Sequence, residues 1–150
     1  MKRIHFTIIL LCFGMTSAFA QNQTDIEAIS TTITNYYEGY IHRDIDKLNK
    51  AFDTENGTMK VPIDNNDLSK GFRNRYFSEV VPKWGNRKKL DSETLANCKL
   101  EILNIDVESS KIASGKMLMK VGDVTYIDIL SLHKIGETWK ITNKIYHVAD

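Results

Sequence analysis

Residues 124–147, VTYIDILSLHKIGETWKITNKIYH, decide the fold of this chain. β-Branched and aromatic side chains fill both arms and Gly136 supplies a turn between them, which is the composition of a β-hairpin. Side chains on a strand point to opposite sides in turn, so the two faces can be written out. One carries Tyr126, Asp128, Leu130, Leu132, Thr142, Lys144 and Tyr146. The other carries Ile127, Ile129, Ser131, His133, Trp139, Ile141, Asn143 and Ile145. A three-residue loop, Ile135-Gly136-Glu137, sets Asp128 directly opposite Lys144.

The same period extends upstream. Leu100, Ile102 and Ile105 precede a turn at Ser109-Ser110, residues 112–121 follow, and Gly122-Asp123 turns the chain into Val124. Connections this short require antiparallel neighbours, so the C-terminal half reads as a four-stranded meander. Before Asn97 the spacing is helical. Ile26, Ile29, Ile33, Tyr36, Tyr37 and Tyr40 form one stripe over 24–42, with Thr24 and Glu27 spaced as a capping box. Asp44 is placed to cap a second short helix striped by Ile45, Leu48, Ala51 and Phe52. A strand over 58–61 stops at Pro62. Leu68, Phe72, Tyr76, Phe77 and Val80 predict a third helix from about Asn66 to Val80, closed by Pro82. Helices followed by strands define an α+β domain over residues 21–150.

The N-terminus reads differently. Lys2 and Arg3, an apolar run over 4–13 and the small-x-small triplet Ala18-Phe19-Ala20 are the zones of a secretory signal peptide over residues 1–20. The run is too short to span a bilayer, which takes about 20 apolar residues, and no later stretch approaches that length. The expectation is an exported protein, periplasmic or secreted, with no membrane span. Cys12 follows Leu11, where lipid modification requires a small residue. Cleavage after Ala20 leaves 18 basic against 19 acidic residues, a balance that argues against a nucleic-acid partner. Cys98 is then the sole cysteine, so no intramolecular disulfide and no CxxC zinc site can form. His42, His133 and His147 lack metal-ligand spacing, and no metal or cofactor is expected. Residues 70–89 hold seven basic side chains and one acidic, which read either as an anion-attracting rim or as a solvated face.

The wording YYEGY at 36–40 with Arg43-Asp44-Ile45, and the ending YIDILSL at 126–132 with WKITNKIY at 139–146, resembles the nuclear transport factor 2-like (SnoaL-like) superfamily. Within it the chain is most similar to the exported bacterial branch called "putative lumazine-binding" proteins. The resemblance implies a cone-shaped, cystatin-like α+β fold in which N-terminal helices pack inside a curved antiparallel sheet. It also implies a pocket in the cone and frequent dimerisation through the outer sheet face. Steroid isomerases of the superfamily carry an Asp and a Tyr in the cone that Asp128 and Tyr36 resemble by register. Those enzymes also need a carboxylate base after the first short strand, where this chain reads Met59-Lys60-Val61-Pro62.

The residues thus expected to line a ligand pocket are Tyr36, Tyr40, Tyr126, Asp128, Lys144 and Tyr146, serving a small planar or apolar molecule. Each has a structural reading beside the functional one: core packing for the tyrosines, a buried ion pair for Asp128 and Lys144. Two other readings stay open, a proton-transfer enzyme using Asp128 and a pocket tyrosine, and a ligand-free dimer scaffold. Ile127, Ile129, Trp139, Ile141 and Ile145 are expected to face outward and form a homodimer contact.

Overall fold

A computed structural model describes residues 4–65 and 67–149, with side chains from Asn22 onward. Lys2 and Arg3 of the expected export signal lie outside the described residues, as does Asn66 at the expected start of the third helix. The elements run α1 (Ile4–His42), α2 (Ile45–Ala51), β1 (Thr58–Pro62), β2 (Phe72–Tyr76), α3 (Phe77–Gly85), α4 (Ser92–Ala96), β3 (Lys99–Glu108), β4 (Ile112–Val121), β5 (Val124–Ile135) and β6 (Thr138–Ala149). The six strands form one sheet in the order β2-β1-β6-β5-β4-β3. The meander β3 to β6 is antiparallel throughout. β1 joins it by pairing parallel to β6, and β2 pairs antiparallel to β1 at the edge.

The stripe of α1 meets the concave side of this sheet, with Ile29, Ile33 and Tyr36 fully buried. Thr24 sits within the helix and not at its cap, because α1 begins at Ile4. Arg43, at φ 59°, breaks the helix in a left-handed turn. Asp44 then caps α2, accepting from the backbone N–H groups of Asp46 and Lys47 at 3.0 Å each. Gly39 permits the tight return: a Cβ there would stand 2.8 Å from Leu48 Cγ. Asp25, only 2 % exposed, accepts from Trp139 Nε1 at 3.1 Å and from Lys134 Nζ at 3.4 Å, and Thr32 Oγ1 donates to the Trp139 carbonyl at 3.0 Å. These bonds fix α1 across the turn end of the β5–β6 hairpin.

The expected third helix divides in two. Phe72 and Tyr76 are more than half exposed, and residues 72–76 pair with β1 as strand β2. The helix begins only at Phe77 and buries Phe77, Val80, Val81 and Trp84. The apolar spacing was matched by residues that serve two elements, and edge pairing overrode it. Pro82 lies inside α3 instead of closing it. Asp91 caps the short α4, which the periodicity did not announce.

The hairpin faces also need correction. The β5–β6 loop holds two residues, Gly136 and Glu137, since Ile135 pairs with Thr138. Thr142 is then left unpaired between Ile141, opposite Leu132, and Asn143, opposite Ser131. A bulge of this kind reverses the side-chain alternation of one strand segment. Trp139 and Ile141 therefore face the core, 2 % and 0 % exposed, and do not belong to the outer face. Of the five residues expected outside, Ile129 and Ile145 are exposed and pair with each other, and Ile127 is half-buried beside them. Asp128 stands opposite Tyr146, and Lys144 opposite Leu130, so the acid and the amine are diagonal neighbours.

Candidate functional site

Three elements each send one polar side chain to the same buried point. α1 supplies Tyr36, β5 Asp128 and β6 Lys144, none more than 3 % exposed. Tyr36 Oη donates to Asp128 Oδ2 at 2.8 Å. Lys144 Nζ donates to Tyr36 Oη at 2.6 Å and is paired with the same carboxylate oxygen. The ammonium also lies 5.2 Å from the ring centre of Tyr146, within cation–π range. Burial, reinforced by the charge of Asp128 and the hydrogen bond to it, pushes the Tyr36 hydroxyl well above the usual tyrosine value. The hydroxyl accordingly stays protonated and donates. Burial pulls the Lys144 ammonium below the usual lysine value, and the Asp128 carboxylate offsets part of that. Among the described residues, Asp128 Oδ1 is a buried side-chain oxygen without a hydrogen-bond partner.

A cleft of about 160 Å³ opens above this cluster. Tyr36 and Lys144 form part of its wall, together with Tyr40, Tyr126 and Tyr146. Met59 from β1, Met119 from β4, and Trp84 and Arg87 from α3 and the turn after it complete the lining. Trp84 stacks on Tyr36 with ring centres 6.0 Å apart and meets Tyr40 edge-on at 5.5 Å. Arg87 Nη1 donates to Tyr40 Oη at 2.6 Å, which holds the guanidinium at the rim. Burial raises the hydroxyls of Tyr126 and Tyr146 above their ordinary value. The cleft thus offers neutral phenols, flat apolar walls and cationic groups.

Five of the six residues expected to line a pocket meet in this one cleft. Asp128 does not: it lies behind Tyr36 and Lys144 with no atom in the lining. Met59, Trp84, Arg87 and Met119 were not anticipated. The alternation of β1 and of β4 carries the signal for the two methionines, since Met59 pairs with Lys144 and Met119 with Tyr126 on the concave side. For Trp84 and Arg87 the local signal is the basic run 70–89, which read either as an anion-attracting rim or as a solvated face; their place in this cleft depends on where α3 packs. Among the described residues no group of His, Cys, Asp and Glu is arranged to hold a metal.

A curved sheet closed over a long N-terminal helix, with a cleft between them, is the architecture of the nuclear transport factor 2-like superfamily. A structure of an NTF2-like protein of unknown function from Shewanella baltica matches with a TM-score of 0.69 at 20% identity, over 85% of this chain and 95% of that one. A "putative dehydratase" of the NTF2-like family from Streptomyces avermitilis matches at 0.55 and 12% identity, over 85% and 97%. A ketosteroid isomerase-like protein from Erwinia carotovora matches at 0.58 and 13%, over 83% and 95%. The chain belongs to the family described as "Putative lumazine-binding", whose model matches residues 24–147. No curated protein matches the chain.

The buried pair generates a stability test. Asp128→Asn keeps the shape and leaves the Lys144 ammonium without its counter-charge, so the urea midpoint should fall by the equivalent of about 3–5 kcal/mol. The double variant Asp128→Leu/Lys144→Met removes both charges and should recover most of that loss. A double variant no more stable than Asp128→Asn would show that the charges do not act as a pair.

Proposed function

We propose that this domain binds a small, largely apolar and planar molecule in the cleft walled by Tyr36, Tyr40, Trp84, Tyr126 and Tyr146. The observation that carries the reading is the cleft itself: five aromatic rings surround it, while Lys144 supplies one placed polar group at its base. The family description names lumazine, a flat bicyclic molecule, which is a ligand of the size and shape class this geometry favours. The enzyme reading has less support. Proton transfer by a carboxylate needs that group within hydrogen-bond reach of the substrate, whereas Asp128 is screened from the cleft and the β1 residue facing it is Met59, which leaves only Lys144 and the phenols as titratable groups there beside Arg87. The scaffold reading requires a filled cone, whereas this one retains open volume.

Trp84 offers the readout. Titration with lumazine, and in parallel with N-phenyl-1-naphthylamine as a generic apolar probe, is expected to quench Trp84 fluorescence in a saturable way. Tyr126→Ala, which removes one wall, should weaken binding by about tenfold, the order expected for one lost aromatic contact. Quenching by neither probe, or quenching that Tyr126→Ala leaves unchanged, would overturn the reading.

Export and pairing with a second copy belong to the same proposal. Cleavage after Ala20 predicts a secreted or periplasmic form beginning at Gln21, which intact-mass measurement checks; a lipid on Cys12 or a retained leader would contradict it. The exposed Ile129 and Ile145, with half-buried Ile127 and Leu118, form the apolar centre of the outer sheet face. Light scattering is expected to show a dimer that Ile129→Glu converts to a folded monomer. Ile141→Ala should instead destabilise the core by about 2–5 kcal/mol. A monomeric wild type would remove the dimer.

A further inference from the structure

The basic stretch between Lys70 and Lys89 separates into two groups in the structure. Lys70 is engaged with Asp64 at 2.6 Å, and Lys88 and Lys89 are exposed. Arg73, Arg75, Lys83 and Arg87 behave differently. On β2, Arg75 pairs with Met59 and Arg73 with Val61, which sets both arginines on the concave side of the sheet. Lys83 and Arg87 come from the end of α3 and the turn after it. A second cleft, of about 270 Å³, lies between these two elements and is lined by Arg75, Lys83 and Arg87. It shares Met59, Trp84, Arg87 and Tyr146 with the aromatic cleft, so the two form one continuous depression.

Every charged side chain lining that depression is basic: Arg75, Lys83, Arg87 and Lys144. Lys144 is already balanced by Asp128 from behind. Arg75 has a loose partner in Glu79, at 3.9 Å with the carboxylate side chain 56% exposed, which is weak compensation. The outer half therefore holds uncompensated positive charge beside the apolar walls. Arg87 is also pre-positioned. Its bond to Tyr40 Oη uses one of five guanidinium donors, and the remaining planar donors suit two oxygens of an oxyanion.

We infer that the ligand of this cleft is an anion: a flat apolar body held between Trp84 and the tyrosines, carrying a carboxylate, sulfonate or phosphate group that Arg87 and Arg75 bind at the mouth. The inference rests on the binding reading above and adds the charge of the ligand to it. Lys83 contributes to the attractive field at the mouth, and Lys144 fixes the inner wall.

A matched probe pair separates this inference from the binding reading. 1-Anilinonaphthalene-8-sulfonate and N-phenyl-1-naphthylamine share one aromatic skeleton and differ by the sulfonate. Followed by Trp84 quenching on the full chain, the sulfonate is expected to bind at least about tenfold tighter, the scale of charge-assisted hydrogen bonding. Arg75→Gln/Arg87→Gln should erase that difference, bringing the sulfonate down to the affinity that the neutral probe shows on the same variant. On the unmodified protein, added salt should weaken the sulfonate probe and spare the neutral one. Equal affinities that the arginine variant and salt do not change would overturn the anion assignment and leave small-molecule binding standing. Binding of neither probe would defeat the binding reading itself. Loss of sulfonate binding in Ile129→Glu would place the probe on the outer face and also overturn the assignment.

Discussion

The contact among Tyr36, Asp128 and Lys144 is the constraint around which the rest of the structure is arranged. It joins α1 to two adjacent strands at a point from which water is excluded. Two charges removed from water cost several kcal/mol apiece unless their geometry is good and their remaining donors and acceptors are met. Here one carboxylate oxygen receives both the phenol and the ammonium and the Tyr146 ring lies beside the ammonium, while the other carboxylate oxygen, Oδ1, is left without a partner among the described residues. A shift of α1 along the sheet would separate the phenol from the pair. The register of the helix on the sheet is therefore specified by polar contacts, which tolerate displacement less than apolar packing does.

That contact exists because β6 carries a bulge. Without the extra residue at Thr142, a two-residue turn would give β6 a single alternation, and either Trp139 and Ile141 or Lys144 and Tyr146 would have to face outward. With it, all four point to the concave side. Trp139 then anchors the middle of α1 through Asp25, and Lys144 anchors its C-terminal part through Tyr36. The bulge also adds local twist, in keeping with a sheet that curls around a helix.

The same arrangement separates the buried polar cluster from the lining of the cleft. Asp128 lies on the far side of the cluster, where it fixes Lys144 and Tyr36 and touches nothing in the cleft. What the cleft presents is the other side of those residues, together with aromatic rings from α1, α3, β5 and β6 and cationic groups from β2 and the end of α3.

Much of this was legible in the order of residues, and the division is physical. Period-two and period-3.6 patterns depend only on neighbours along the chain, so the meander, the first two helices and the cap at Asp44 could be read directly, whereas the five lining residues followed from the family resemblance. Element boundaries at 66–85 could not, because whether Phe72–Tyr76 is strand or helix depends on an edge offered by β1. The facing of Trp139 and Ile141 was equally hidden: a one-residue bulge has no composition of its own, yet it reverses every side chain before the next register shift. Trp84 and Arg87 entered the cleft only through the packing of α3 against Tyr36 and Tyr40. The sequence by itself determined the meander and the first two helices, and with them which elements carry the acid, the amine and the phenol. The tertiary structure decided which of them face the cleft and which cations join them there, since both follow from contacts between segments far apart in the chain.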